Sequence, residues 1–265
     1  MINETWIRLS IFVGVLAIMM LWECLAPNRL SAVSSGRRWF SNFSMMLLGA
    51  IVARLILPTG LAAIAIYAQN HQLGLWNQFS VTVWISIPVT VVLLDGLIYW
   101  QHRLFHHFAI FWRFHKVHHA DPQLDASSGL RFHPVEIALS LLIKAIAVLL
   151  LGAPMAAILI FEVLLNATSI FNHSNIKLPA KVESFLRTMI VTQAMHRIHH
   201  SQKPLETNSN FGFNLSCWDR IFGSYLAEAE NADENIELGL KEYLSPETNS
   251  KFIPLLLMPF RKKSD

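Results

Sequence analysis

Four long apolar stretches constrain the fold more than any other feature of this sequence. They cover residues 6–26, 43–68, 80–100 and 135–172. A helix needs about 20 consecutive apolar residues to cross the hydrocarbon core of a bilayer, and the first three stretches have about that length. Hydrophobic residues make up 53% of the 265-residue chain and charged residues only 15%, which is too apolar for one core surrounded by water. The sequence therefore predicts an all-α integral membrane protein.

The stretch at 135–172 is predicted to form a helical hairpin. The segment LGAP at 151–154 interrupts it, and Gly-x-Pro is typical of a turn. Each arm has about 17 residues, which is short for a full span, so a tilted spanning hairpin and a partly re-entrant one both fit. The expected architecture is therefore about three spanning helices plus a helical hairpin.

Basic residues predict which polar segments share one side of the membrane. The first loop carries three arginines and no acidic residue: Arg29, Arg37 and Arg38. Positive charge favours the cytoplasmic side, whereas the connector at 69–79 has neither Lys nor Arg and is assigned to the opposite side. Segments 101–134 and 173–265 also contain many Lys and Arg residues. Both are expected to lie on the side of the first loop, as a cytosolic helical cap.

These features divide the chain into N-terminal membrane helices at 1–100, a first histidine-rich segment at 101–134, the hairpin at 135–172 and the cap at 173–265. The N-terminus lacks a basic region and a small-residue cleavage site, so its first helix is predicted to stay in the membrane. The net charge of +3 is modest and the basic residues are dispersed, which favours a membrane partner over nucleic acid. The short chain favours a bacterial inner membrane over the endoplasmic reticulum.

Three histidine motifs predict a metal site at the membrane surface. They are HRLFH at 102–106, HKVHH at 115–119 and HRIHH at 196–200. Spacings of three and four residues place imidazoles on one face of a helix. Histidines that merely line the headgroup region would explain neither the clustering nor the repeated spacing. The motifs supply eight ligand-type histidines, more than one ion needs, so a centre with two metal ions is expected.

Several further residues are assigned around these motifs. His173 follows the hairpin and is predicted to be a ninth ligand, whereas His107 lies off the face of the first motif and is not. His133 fits a ligand, a group hydrogen-bonded to Glu136 behind the ligands, or a helix cap, and the second interpretation is favoured. Metal-bound imidazoles usually donate their other N–H group to a carboxylate or carbonyl. The carboxylates placed to accept such bonds are Asp95, Asp121 and Asp219, and Asp219 fits a helix N-cap or a surface residue equally well.

Five stretches carry a resemblance to a known family. They are DGLIYWQHRLFHHFAIFWRFHKVHHA at 95–120, RFHPVE at 131–136, NHSN at 172–175, MHRIHHS at 195–201 and NSNFGFNLSCWDRIFGSY at 208–225. Together they resemble the fatty acid hydroxylase/sterol desaturase superfamily of integral-membrane di-iron enzymes. The resemblance implies four membrane helices and a cytosolic cap that holds two metal ions. By position, the metal ligands would be His102, His106, His115, His118, His119, His173, His196, His199 and His200.

The same resemblance implies a chemistry. Two iron ions would use O2 to hydroxylate or desaturate a lipid, such as a sterol or a fatty acyl chain. Nothing in the chain resembles a fused cytochrome domain, so electrons would come from a separate cytochrome- or ferredoxin-type protein.

Two other classes of protein stay open from the residues alone. A zinc-dependent membrane hydrolase is disfavoured because His102 and His106 enclose Arg-Leu-Phe and lack the glutamate of an HExxH motif. A non-catalytic haem-binding or metal-transport protein would place histidines or carboxylates inside the membrane spans. Here the histidines lie just outside the apolar stretches.

Overall fold

A computed structural model describes residues 4–31, 33–79, 81–240 and 245–261. These residues are helical and form no β-strand, apart from two isolated antiparallel bridges. The α-helices are α1 (Glu4–Leu25), α2 (Ser35–Ile56), α3 (Gly60–Asn70), α4 (Leu75–Gln78), α5 (Val83–His107), α6 (Ala109–His119), α7 (Pro134–Leu151), α8 (Met155–His173), α9 (Ala180–Leu186), α10 (Gln193–His199), α11 (Pro204–Thr207), α12 (Cys217–Ile221) and α13 (Phe252–Leu257). The predicted all-α fold class is confirmed.

Among the described residues, five segments are long and apolar enough to cross a membrane, judged by length and composition. Helices α1, α5, α7 and α8 are four of them. The fifth runs from Ser35 to Gln78 and combines α2, α3 and α4. A break at Leu57–Thr59 separates α2 from α3, because Pro58 has no backbone N–H to continue the helix. The expected multi-pass helical protein is confirmed.

The predicted hairpin is formed by α7 and α8. Gly152 ends α7 in the left-handed conformation, with φ of 61°, and Pro154 directly precedes α8. The turn contacts the loop before α4 so closely that a Cβ atom on Gly74 would lie 2.1 Å from the Gly152 nitrogen. Glycine is required on both sides because only a residue without a side chain allows this approach.

Helix α5 connects the membrane segment to the first histidine motif without interruption. It contains Pro88, passes residue 100 and ends at His107. The boundary drawn between membrane and histidine-rich segments at residue 100 thus falls inside one helix. Leu94 and Ile98 on this helix are buried with Phe161 of α8, in a core that also includes residues of α3 and α7. This packing holds the cap-side end of α5 in position relative to α8.

A buried ion network joins α2 to the segment that follows α6. Arg38, assigned to a loop by its sequence, instead lies in the first turn of α2 and is fully buried, so the loop assignment was wrong. Its guanidinium donates to both carboxylate oxygens of Asp121, at 2.7 and 3.0 Å, and to Asp125 at 2.6 Å. Arg131 contacts Asp121 at 3.1 Å. Although burial would raise the pKa of Asp121, the two guanidinium groups hold it well below its usual range.

Candidate metal centre

All nine histidines predicted as ligands converge in two groups. The first histidine group consists of His102, His106, His115, His119 and His199. The second histidine group consists of His118, His173, His196 and His200. Within each group, one ring nitrogen per residue lies within 4.8 Å of those of all other members, and every member except the half-buried His106 is buried. This density of nitrogen atoms is suited to binding one metal ion per group.

Four helices bring these side chains together. Helix α5 supplies the first motif, α6 the second, the end of α8 supplies His173, and α10 with the residue after it supplies the third motif. Each HxxHH motif is divided between the groups. In α6, His118 belongs to the second group while His119 belongs to the first. Adjacent residues on a helix diverge by about 100°, so one motif can serve two neighbouring ions.

The hydrogen bonds of the first group leave ring nitrogens with lone pairs facing each other. His102 donates its Nδ1–H to the carbonyl of Phe211 at 2.8 Å, and His115 donates its Nδ1–H to Glu136 at 2.7 Å. In the neutral form, which binding of a metal ion requires, an imidazole has one N–H, so the Nε2 atoms of both residues then carry lone pairs. These two Nε2 atoms are 3.1 Å apart. They cannot hydrogen-bond to each other, and a shared cation would satisfy both.

The second group repeats this arrangement. His118 donates to the carbonyl of Arg131 at 3.2 Å, and His173 donates to the carbonyl of Ser169 at 2.7 Å. Their Nε2 atoms, which therefore carry lone pairs, are 2.9 Å apart. The Nε2 atom of His196 lies 3.1 Å from that of His173 and 3.2 Å from that of His200. The Nε2 atom of His196 has either one proton or one lone pair, so it cannot form a hydrogen bond with both neighbouring nitrogen atoms.

Burial favours the neutral form of five of these imidazoles. Burial, with smaller effects from neighbouring histidines, lowers the pKa of His118, His119, His196 and His200 well below the ordinary value. For His199, burial lowers the pKa to about 3, even though Nδ1 bonds the Ser209 carbonyl at 2.8 Å. Neutral imidazole is the form that binds a metal ion. The Nε2 atom of His199 is also buried without a hydrogen-bond partner among the described residues, as expected for a nitrogen that binds a metal ion.

Glu136 and His133 have different roles in the structure. Glu136 accepts the hydrogen bond from His115 and so orients one ring of the first group. His133 belongs to neither group and does not bond Glu136: its Nδ1 accepts from the backbone N–H of Val135, and its Nε2 lies 3.2 Å from the Leu256 carbonyl. The favoured interpretation of His133 was wrong. It caps α7, the third of the alternatives, because Val135 lies in the first turn, where the backbone N–H has no partner within the helix.

The predicted carboxylates act on the histidines indirectly. Asp219 accepts from the backbone N–H groups of Phe211, at 2.7 Å, and Gly212, at 2.8 Å. Asp95 accepts from the backbone of Leu215 at 3.1 Å and from Trp218 at 2.8 Å. Both carboxylates therefore hold the loop whose Phe211 carbonyl orients His102. Asp121 bonds the arginines described above instead of an imidazole.

Sequence reasoning missed the groups that orient four of the nine rings, because they are backbone carbonyls. Phe211, Ser209, Arg131 and Ser169 each contribute a carbonyl to a histidine Nδ1. Between two of them, Asn210 has φ of 51°, and its side chain bonds the backbone of residues on either side of the loop. Asparagine tolerates this left-handed conformation better than most residues, and Asn210 lies in the stretch at 208–225 that carries the family resemblance.

A cavity of about 400 Å³ reaches the first histidine group from the membrane helices. His102, His115 and Glu136 line it next to the ring nitrogens. Between the membrane helices its walls are mainly apolar, with Ile137 and Leu165 among them. The volume lies in the range of small-molecule sites, and the apolar wall matches a hydrocarbon chain.

The membrane-type helices and the two histidine groups define a membrane protein with a candidate two-metal centre open to a lipid-sized cavity. The sequence profile of the fatty acid hydroxylase family matches residues 87–224, which is just over half of the chain. That range contains every histidine of both groups. The chain belongs to the fatty acid hydroxylase family, and the resemblance inferred from its five sequence stretches is confirmed.

Individual relatives have names that describe lipid oxidation. The ornithine lipid hydroxylase OlsE of Rhizobium tropici is 25% identical over 260 residues, covering 96% of this chain and 75% of the relative. The Delta(7)-sterol 5(6)-desaturase erg3B of Aspergillus fumigatus is 29% identical over 66% of this chain and 49% of the relative. Lathosterol oxidase of Mus musculus is 30% identical over 63% of this chain and 55% of the relative. No solved structure matches the chain.

The chain thus spans three quarters of the first of these relatives and about half of the two sterol enzymes. Family membership confirms the expectation of a membrane oxidoreductase, and the names of these relatives describe oxidation of lipids by those proteins.

Proposed function

We propose that the nine histidines hold two iron ions and that the protein uses O2 to hydroxylate or desaturate a lipid. This proposal depends on one observation: in each group, the Nε2 atoms of two histidines point toward each other with their lone pairs. His102 faces His115 in the first group, and His118 faces His173 in the second. Neutral imidazoles suit iron, zinc, copper and nickel alike, so the donor set supports a transition metal and family membership favours iron.

The chemistry requires the metal ions because the C–H bonds of a lipid chain resist acids, bases and nucleophiles. Iron, when bound, supplies the reactivity toward O2 that amino-acid side chains lack. The protein's own residues hold and orient the centre. Carbonyls and Glu136 fix the ring tautomers, and the apolar walls of the cavity exclude water and place the substrate chain beside His102 and His115.

The setting of the reaction is part of the same proposal. The histidine groups face the cytoplasm, in agreement with the basic polar segments around them, and the membrane is a bacterial inner membrane. Electrons come from a separate redox protein of cytochrome or ferredoxin type. The substrate is a sterol, a fatty acyl chain or a related lipid, and the names of the relatives include sterols and an ornithine lipid.

The proposal is tested by metal analysis and O2 consumption on the purified full chain. We expect about two iron ions per chain and O2 uptake that depends on a reductase, a ferredoxin or cytochrome, and added lipid. Lipid profiles of cells with the intact protein should contain a hydroxylated or desaturated product that is missing without it. Bound zinc without O2 uptake would contradict the proposal and indicate a zinc-dependent hydrolase. A haem Soret band would contradict it and indicate a haem-binding protein.

Replacing Glu136 should weaken metal binding without removing a ligand. In Glu136→Gln, the acceptor for the His115 Nδ1–H loses its charge, so we expect iron affinity to fall about 10- to 100-fold. Competition with a chelator measures this change. Glu228→Gln, at an exposed position in the cap, is the matched control and should keep the affinity of the unmodified protein. Equal affinities in both variants would show that Glu136 does not support the site.

A further inference from the structure

The cavity beside the first histidine group has a second, chemically different end. There, the side chains of Arg8, Lys144 and Glu162 contribute to its lining. They come from α1, α7 and α8, three helices that are candidates to cross the membrane. Ionised groups at membrane depth are costly, and they usually mark a functional site. The mechanism proposed above does not use any of these three residues.

The charges at this end do not balance. Arg8 and Glu162 form an ion pair, with Nη2 and Oε2 2.8 Å apart, and Lys144 is near enough to interact electrostatically with both. When Arg8 and Lys144 are both protonated, two cations and one carboxylate leave a net charge of +1. The other carboxylate in the cavity lining, Glu136, is bonded to His115 at the opposite end. One further negative charge would neutralise these three side chains, so this end of the cavity is suited to bind a monoanion.

The spacing of the two ends matches a hydrocarbon chain. Glu136 and Lys144 are eight residues apart on α7, which is about 12 Å along a helix. An extended chain advances about 1.2 Å per bond, so roughly ten bonds would connect the charged end to the first histidine group.

We propose that Arg8 and Lys144 form a receptor for the anionic group of the lipid substrate, a carboxylate or a phosphodiester, from which the hydrocarbon chain extends to the first histidine group. This inference rests on the proposed function, which assigns oxidation of the lipid to the histidine groups. It adds that the substrate is an amphiphile with one negative charge. It also adds that the oxidised carbon lies roughly ten or more bonds from that charge.

Binding measured without turnover tests the receptor. Purified full-length protein in nanodiscs is titrated with radiolabelled palmitate, lysophosphatidylglycerol and hexadecanol. Palmitate and hexadecanol have chains of equal length and differ in charge. We expect at least one anionic ligand to bind about tenfold or more tightly than hexadecanol, because a charge-assisted contact is lost in the alcohol. A preference for palmitate indicates a free fatty acid, and a preference for the lysophospholipid indicates a phosphodiester lipid.

Variants separate a receptor from a merely structural ion cluster. Lys144→Met should abolish the preference for the anion while hexadecanol still binds, and Lys144→Arg should restore it. The exposed Lys181→Met is the matched control and should keep the preference. Equal binding of all three ligands by the unmodified protein would overturn the proposal. So would a Lys144→Met variant that loses thermal stability but still prefers the anion.

The outcome is independent of the metal centre. If the protein bound no iron and consumed no O2, the proposed oxidation would fail, yet the difference between palmitate and hexadecanol would still be measurable. Conversely, an active iron enzyme that binds hexadecanol as tightly as both anions would retain its function and lose the receptor.

Discussion

His199→Ala and His200→Ala should each lower turnover by more than about 100-fold. Each should remove metal from a different group. The two residues are adjacent in sequence, but His199 belongs to the first histidine group and His200 to the second. Each substitution removes a nitrogen from one site and leaves the ligand set of the other intact. Metal analysis should therefore give close to one ion per chain for either variant, against about two for the unmodified protein.

A suitable control is His107→Ala, because His107 is exposed at the end of α5 and belongs to neither group. That variant should keep its metal content and its activity. Helix content by circular dichroism should be similar in all three variants, so that loss of metal is not confused with misfolding. Full metal content and full activity in either His199→Ala or His200→Ala would contradict the assignment of that residue as a ligand.

Asp121→Asn is expected to be the most destabilising single substitution of a residue that is not a proposed ligand. It leaves Arg38 and Arg131 buried with one negative charge fewer between them. Removing one partner from a buried ion network costs about 3 to 5 kcal/mol in free energy of unfolding. Denaturant titration of the detergent-solubilised protein measures this loss. Iron content should fall as well, because the carbonyl of Arg131 orients His118.

The exposed ion pair between Lys203 and Glu230 provides the comparison for that result. Its two side chains are 32% and 77% exposed, so water and salt screen the interaction. Glu230→Gln should leave the unfolding curve unchanged. If Asp121→Asn unfolded at the same denaturant concentration as Glu230→Gln, the buried network would not stabilise the fold.

Much of the candidate site could be predicted because imidazoles are rare, recognisable ligands and helical spacing limits where they point. The eight histidines of the motifs and His173 all lie in the two groups, and His107 lies outside both, as predicted. The hairpin was predictable for a similar local reason, since Gly152 and Pro154 end one helix and begin another. Apolar stretches predicted the membrane helices because the bilayer sets a minimum length.

Other assignments depended on partners distant in sequence. Arg38 looked like a residue of a basic loop, but it is buried against Asp121 and Asp125, more than 80 residues away. His133 had three plausible roles, and its role as a cap became clear only from its contacts with Val135 and Leu256. Charge and residue type alone do not reveal such pairings.

The sequence by itself determined that the chain is helical, that it lies in a membrane and that its histidines are a candidate metal-binding set. These properties follow from composition and from spacing along single helices, which are local. Only the tertiary structure decided how the nine rings divide between two groups, which carbonyls orient them, and that a cavity connects the first group to Arg8, Lys144 and Glu162. These properties arise where α1, α5, α6, α7, α8 and α10 meet, and the packing that joins them has no signature in any one segment.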